Sequence, residues 1–153
     1  MPKKHEEHMW RKNMDTNIYL DTNIILDLVD RERQHSAGSI KIVRELFAKG
    51  AEFYINSDTL STSYFILRSR KKVTQQEALE ALDYSVTLCN IVSVEKKETV
   101  EAIALCSDST SLYHDYEDAL QYLCAKKVGA TMILTNDKGF ISADIPLKGT
   151  HRS

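Results

Sequence analysis

Short apolar runs alternate with longer amphipathic stretches along this chain. Four runs have the length and the β-branched or aromatic content of buried strands, and they span residues 17–21, 51–56, 91–94 and 131–135. Between them, apolar residues recur at helical spacing, as Ile40, Val43 and Phe47 do. A last run at 145–147 contains Pro146, which predicts a short fifth strand at a sheet edge.

The amphipathic stretches predict six helices, whose ends are marked by capping residues and glycines. They are expected to cover residues 22–30, 38–48, 58–70, 74–88, 96–106 and 115–128. The predicted N-terminal caps are Thr22 or Asn23, Ser57 or Asp58, Thr74 in a capping box with Glu77, and Asp115. Strands that alternate with helices predict a parallel sheet with right-handed crossovers.

The fold class predicted from this order is α/β, with three α/β/α layers around a central parallel sheet of four to five strands. The chain has 153 residues, of which 42% are hydrophobic, as expected for one globular domain. We expect a polar N-terminal extension at 1–16 and a single domain at 17–150. The extension lacks the apolar stretch of a signal peptide.

Charge and cysteine content narrow the classes of function. The net charge of −2 argues against a protein that coats nucleic acid non-specifically, although a bound metal ion can reverse the field of an acidic site. Cys89, Cys106 and Cys124 are odd in number and lack CxxC spacing, so we expect buried free thiols in a reducing cytoplasm. No apolar run is long enough for a membrane helix.

Carboxylates follow the predicted strands at one edge of the sheet. Asp21 ends the first strand and Asp137 follows the fourth, so both should lie at the carboxyl edge, where parallel α/β sheets place their sites. Asp115 and Asp118 begin the last helix on one face, and Glu117 points about a third of a turn away. Converging carboxylates are hard oxygen ligands that suit Mg²⁺ or Mn²⁺.

Each carboxylate also has a structural interpretation. Asp21 and Asp115 could cap helices, Asp118 could favour the helix dipole, and Asp137 could form a turn. Asp27 is expected to be a solvated helix residue. An aspartyl phosphate on Asp21 is a weaker alternative, because such phosphatases usually need a second acid where Asn23 stands.

Three segments together resemble the PIN-domain family, which includes the toxic ribonucleases of bacterial toxin–antitoxin pairs. They are YLDTNIILDLV, INSDTLSTSYFIL and DYEDALQYLCAKKVGATMILTNDKGF, and the resemblance covers about residues 17–147. It implies a Mg²⁺- or Mn²⁺-dependent endoribonuclease of single-stranded RNA. It also implies an antitoxin protein and a second copy of the chain as partners.

The resemblance assigns roles to individual positions. Asp21, Asp118 and Asp137 match the metal-binding, catalytic acids of the family; Asn23 matches a residue that supports the first acid, and Thr135 matches the hydroxyl before the last. Many members carry a middle-helix Glu, where this chain has Thr62.

The replacement of the usual middle-helix Glu by Thr62 leaves two interpretations open. Asp115 or Glu117 could replace the missing acid, or the chain could be a non-catalytic module that binds RNA or protein. The basic residues Arg68, Arg70, Lys71 and Lys72 could guide an RNA backbone, although such a run is more often a solvated face.

Overall fold

The computed structural model describes residues 16–150, so nearly all of the predicted N-terminal extension lies outside the described residues. The strands are β1 (Asn17–Leu20), β2 (Glu52–Asn56), β3 (Cys89–Val92), β4 (Met132–Leu134) and β5 (Leu147–Lys148). The helices are α1 (Thr22–Val29), α2 (Ser36–Ala48), α3 (Ser57–Ser69), α4 (Gln75–Leu88), α5 (Lys96–Ser107) and α6 (Tyr116–Lys127).

The strands form one parallel sheet in the order β3-β2-β1-β4-β5, with helices on both faces. Alternate residues of β1 point to opposite faces, as strand geometry requires. Ile18 and Leu20 pack with Ile24 of α1 and Val43 of α2. Tyr19 packs on the other face with residues of α5 and α6. The predicted three-layer α/β/α fold is therefore confirmed.

Two strands differ from the prediction by more than one residue at an end. The third strand covers 89–92 rather than 91–94, because α4 passes into it without a turn and the Cys89 N–H still bonds the Ser85 carbonyl. Val94, expected in this strand, instead donates its N–H to Ser57 Oγ. The fifth strand is at 147–148 rather than 145–147, and it lies at a sheet edge as predicted. Ile145 is buried in the core instead.

The helix starts correct several predicted caps. Asn56 caps α3 by accepting the Thr59 N–H at 2.9 Å, a role predicted for Ser57 or Asp58. The predicted caps of α1, Thr22 and Asn23, lie inside the helix. The residue before α1 is Asp21, which makes no side-chain cap bond. Asp115 caps α6, as predicted, by accepting the Asp118 N–H at 2.9 Å.

The predicted cap of α4 is also present in part. Thr74 accepts the Glu77 N–H. The Glu77 carboxylate accepts a bond from the Thr74 hydroxyl. A reciprocal capping box is present at the start of α5, between Glu95 and Glu98.

Asp27 is buried, so the prediction of a solvated residue is wrong. Only 2% of it is exposed. Its carboxylate pairs with Arg33 Nε at 2.8 Å and accepts bonds from Ser39 Oγ at 2.7 Å and Asn136 Nδ2 at 2.9 Å. The Asp27 carbonyl accepts a bond from Ser36 Oγ at 2.6 Å. These contacts tie α1 to α2 and to the loop after β4.

The cysteines are free thiols, and two of the three are buried. Burial raises the pKa of the Cys89 thiol to about 12 and that of Cys124 to about 11. Cys106 is only partly buried, because it lies near the end of α5, where the prediction of a buried thiol is wrong. None of the helices in the described part of the chain could cross a membrane.

Ser63→Ala is expected to stabilise the protein by about 1 kcal/mol, or about 3 °C in Tm. Within residues 16–150, Ser63 Oγ is buried without a hydrogen-bond partner, so its desolvation is uncompensated. Thermal and urea unfolding would measure the change. The matched control is Ser61→Ala at an exposed position of the same helix, which should change stability by less than about 0.5 kcal/mol. A loss of stability in Ser63→Ala would contradict the prediction.

Candidate active site

Asp21 is a buried carboxylate between the end of β1 and α6. Its Oδ1 accepts a bond from Gln121 Nε2 at 2.9 Å, and its Oδ2 accepts one from Thr135 Oγ1 at 2.7 Å. The Asp21 N–H donates to the Leu134 carbonyl at the end of β4. Each carboxylate oxygen keeps a lone pair for a further partner. Asp21 is thus held in place from two sides and can still bind a ligand.

Sequence reasoning missed Gln121, although a signal was present. Gln121 lies three residues after Asp118, so the two share a face of α6. Its side chain also accepts the Thr22 N–H at 3.1 Å. A buried glutamine needs partners for its amide, and its position beside Asp118 could have indicated a supporting role.

The start of α6 lies at the carboxyl edge of the sheet. Asn17, which begins β1, donates its side-chain amide to the carbonyl of Val128 just after α6, at 3.0 Å. The helix therefore ends near the amino edge of the sheet and begins near the opposite edge. This places Asp118 in the first turn of α6, on the side of the sheet edge where Asp21 lies.

The charges of these carboxylates repel one another, and this repulsion contributes to their pKa values. Burial, and then the charges of Asp115, Asp21, Asp137 and Glu117, raise the pKa of Asp118 to about 7. Burial also raises the pKa of Asp21, with the Asp137 charge adding to it, while the bonds from Thr135 and Gln121 oppose the change. Burial, Asp21 and Asp115 raise the pKa of Glu117. Each of these acids therefore interacts electrostatically with at least one of the others.

The loop after β4 carries Asp137, which is exposed. Thr135 joins it to Asp21, since the Thr135 hydroxyl donates to Asp21 and accepts the Asp137 N–H at 3.1 Å. Asp137 Oδ1 accepts the Gly139 N–H at 2.8 Å, which is a local turn contact. Asn23 acts on Asp21 through its backbone, which lowers the pKa of Asp21, while its side chain accepts a bond from Arg33.

The segment after β5 closes over this loop. The Thr135 N–H donates to the Lys148 carbonyl, and the Thr150 N–H and hydroxyl both donate to Asn136 Oδ1. Gly149 is required for the close approach, because a Cβ there would lie 2.2 Å from the Thr135 oxygen. The residues around Asp137 are thus positioned by residues 148–150.

A cavity of about 190 Å³ opens beside Thr22, the residue after Asp21, between α1, α3 and α6. Its lining is formed by Thr22, Asn56, Asp58, Thr59, Thr62, Tyr116, Glu117 and Leu120. The Thr22 and Thr59 hydroxyls are 3.2 Å apart, which links the α1 and α3 walls. Thr62 and Glu117 therefore face one space from different helices.

The chemistry of the carboxylates fits a hard divalent cation. Among the described residues, no three metal-ligating side chains already stand around one point at coordinating distance. The available donors at this edge are nevertheless carboxylate oxygens, and their repulsion raises the pKa of Asp118. A cation between them would relieve that repulsion. The assignment of Asp21, Asp118, Asp137 and Asp115 to a shared ion stays a prediction.

The basic run lies at the far end of α3 from the cavity. Thr62 of the cavity wall and Arg68 are six residues apart on α3, which corresponds to about 9 Å along the helix. Arg70 pairs with Asp30 and Glu32, and Arg68 donates to the Val73 carbonyl at 2.8 Å. The role of the basic run toward RNA stays a prediction. Arg68 and Arg70, two of its four basic residues, already have protein partners.

The sequence of residues 18–146 matches the model of the PIN domain family. The chain belongs to this family. It is 34% identical over 133 residues to Ribonuclease VapC1 of Aquifex aeolicus, a match that covers 87% of this chain and 90% of the relative.

Solved structures share the PIN fold. VapC20 of Mycobacterium tuberculosis, a Sarcin-Ricin loop cleaving toxin, matches with a TM-score of 0.65 and 15% identity over 80% of this chain and 92% of its own. VapBC2 of Rickettsia felis, bound to a DNA fragment from the promoter, matches with a TM-score of 0.64 and 20% identity over 88% of this chain and 98% of its own. These similarities confirm the fold.

Proposed function

We propose that this PIN protein is a metal-dependent endoribonuclease that cleaves single-stranded RNA and acts as the toxin of a toxin–antitoxin pair. The observation that carries the proposal is that Asp21 and Asp137 are joined through the Thr135 hydroxyl at the carboxyl edge of the sheet, where α6 begins with Asp118. Burial, and then the charges of Asp115, Asp21 and Asp137, raise the pKa of Asp118 to about 7 there. The similarity to Ribonuclease VapC1 supports the choice of RNA as substrate.

In the proposed reaction, Asp21, Asp118 and Asp137 would hold Mg²⁺ or Mn²⁺. When bound, the cation would activate water and neutralise charge on the phosphodiester. Thr135 and Gln121 fix both oxygens of Asp21, so this ligand enters the reaction already oriented. In-line attack would leave a 5′-phosphate, as the family resemblance implies.

The proposed partners are an RNA substrate, an antitoxin protein and a second copy of the chain, all in the cytoplasm. Solved relatives include VapBC complexes, which supports an antitoxin. Apolar side chains on the helices, such as Phe65 at 75% exposure and Phe47 at 64%, offer surface that a protein partner would cover.

The second candidate is a PIN module that binds RNA or protein without cleaving it. The observation in its favour is Thr62, whose hydroxyl cannot supply the negative charge of the usual middle-helix acid. This candidate predicts that divalent cations have little effect on the protein.

Metal titration distinguishes the two functions. We expect Mn²⁺ or Mg²⁺ to start cleavage of single-stranded RNA and EDTA to stop it. Saturation at about 100 times the Kd should stabilise the native protein by about 2.7 kcal/mol, a shift of several degrees in Tm. Potassium chloride at equal ionic strength controls for screening, and double-stranded RNA controls for substrate form. Neither a shift in Tm nor cleavage in Mn²⁺ would favour the binding module.

A further inference from the structure

The place of the missing middle-helix acid is occupied by a short hydroxyl side chain. Thr62 and Thr22, the residue after Asp21, both line the cavity of about 190 Å³. A longer side chain in place of Thr62 would extend into that space. The cavity therefore marks where an α3 carboxylate would enter the site, and it shows which other groups reach the same space.

Glu117 enters that space from the opposite wall. It lines the cavity from the first turn of α6, and Thr22, the residue after Asp21, lines the cavity from α1. The Glu117 side chain is exposed, so it has the rotational freedom to turn toward a ligand.

Asp115 and Asp58 are placed less well for this role. Asp115 Oδ1 accepts the Asp118 N–H, and Asp115 is not among the residues of the cavity wall. Asp58 does line the cavity, but from α3, one turn before Thr62. Only Glu117 both lines the cavity and neighbours Asp118 in the first turn of α6.

We propose that Glu117 supplies the fourth carboxylate of the metal site, so that the acid missing at Thr62 on α3 is provided from α6 instead. This assignment rests on the proposed function. Under this assignment Asp115 is a helix cap and not a metal ligand. The site then keeps four carboxylates, one of them from a different helix.

Mn²⁺ binding measured by calorimetry tests the assignment without relying on activity. Glu117→Gln keeps the size of the side chain and removes its charge, and it should weaken the Mn²⁺ Kd by about tenfold or more. The matched control is Asp58→Asn, on the same cavity, which should stay within about threefold. The Tm without metal should not fall in either variant, since both positions are exposed.

Relocation of the charge is the sharper test. Thr62→Glu added to Glu117→Gln should restore most of the lost Mn²⁺ affinity, because the carboxylate returns to the same cavity from α3. Asp115→Asn should leave the Kd within about threefold, since asparagine can also cap a helix. Loss of affinity in Asp115→Asn with none in Glu117→Gln would overturn the assignment.

Asp21→Asn separates this inference from the function on which it rests. If Asp21→Asn abolishes Mn²⁺ binding while Glu117→Gln does not alter it, the metal site stands and only the role of Glu117 fails. If wild-type protein shows no Mn²⁺ binding, the proposed function itself fails. Loss of Mn²⁺ affinity in both Asp21→Asn and Glu117→Gln, with rescue of the second by Thr62→Glu, supports both the proposed function and the role of Glu117.

Discussion

Asp118→Asn is expected to lower metal-dependent RNA cleavage by about a thousandfold while it stabilises the metal-free protein. Removal of an anionic ligand weakens both cation binding and charge neutralisation at the phosphate, and losses of that order are typical when a group acting on the transition state is removed. The gain in stability has the same origin. Asp118 is surrounded by Asp115, Asp21, Asp137 and Glu117, which repel its charge.

The same repulsion sets the pH dependence of stability. The pKa of Asp118 is about 7 in the folded protein, above the value of 3.8 for an unperturbed aspartate. Between about pH 4 and pH 7 the folded state therefore holds a proton that the unfolded state has released. The contribution of this proton to the free energy of unfolding is fully present below about pH 4 and is lost as the pH rises through 7. Without metal, unfolding free energy should fall across this window in the wild-type protein, and less in Asp118→Asn.

Denaturant unfolding in EDTA at several pH values, together with cleavage assays in Mn²⁺, would measure both effects. Asp83→Asn on α4 is a suitable control, because this carboxylate is exposed on a helix that does not line the cavity. It should leave activity and stability nearly unchanged. Retention of full cleavage by Asp118→Asn would remove this residue from the site.

Asp27→Ala is expected to cost about 3–5 kcal/mol of stability, the largest structural effect in the molecule. The carboxylate is buried and serves three donors: Arg33 Nε, Ser39 Oγ and Asn136 Nδ2. Truncation would leave these groups without their acceptor and the Arg33 charge without its partner. It would also release Asn136, the residue before Asp137, so Mn²⁺ affinity should fall as well.

Urea unfolding would measure the cost. Asp27→Asn is the matched control, because it preserves shape and one acceptor oxygen; the loss should be smaller, about 1–3 kcal/mol. A cost below about 1 kcal/mol for Asp27→Ala would mean that the network contributes little to stability.

Local patterns in the sequence predicted the layers, and they placed the ends of the first and fourth strands to within one residue, because these depend on neighbouring residues. Asp21 and Asp137 could be assigned to one sheet edge since each follows a strand of a parallel sheet. Asp27 could not be assigned in the same way. Its partners lie 6, 12 and 109 residues away, and only folding brings them together. Its polar character alone indicated a solvated position.

The cap of α3 and the bounds of the third strand were also not predicted correctly, although both depend on nearby residues. Asn56 could be taken for the end of a strand or the cap of a helix, and the geometry of the chain decides between them. The third strand lay two residues earlier than predicted because no turn residue separates it from α4. Gln121 was missed because an amide that orients a carboxylate has no spacing rule of its own.

The closure of residues 148–150 over the β4 loop has a consequence for biosynthesis. A ribosome makes these residues after the rest of the domain, and domains fold largely as units when their chain is available. Until they emerge, Thr135 and Asn136 lack the partners supplied by Lys148 and Thr150. The loop that carries Asp137 therefore acquires these contacts only after residues 148–150 are available to fold.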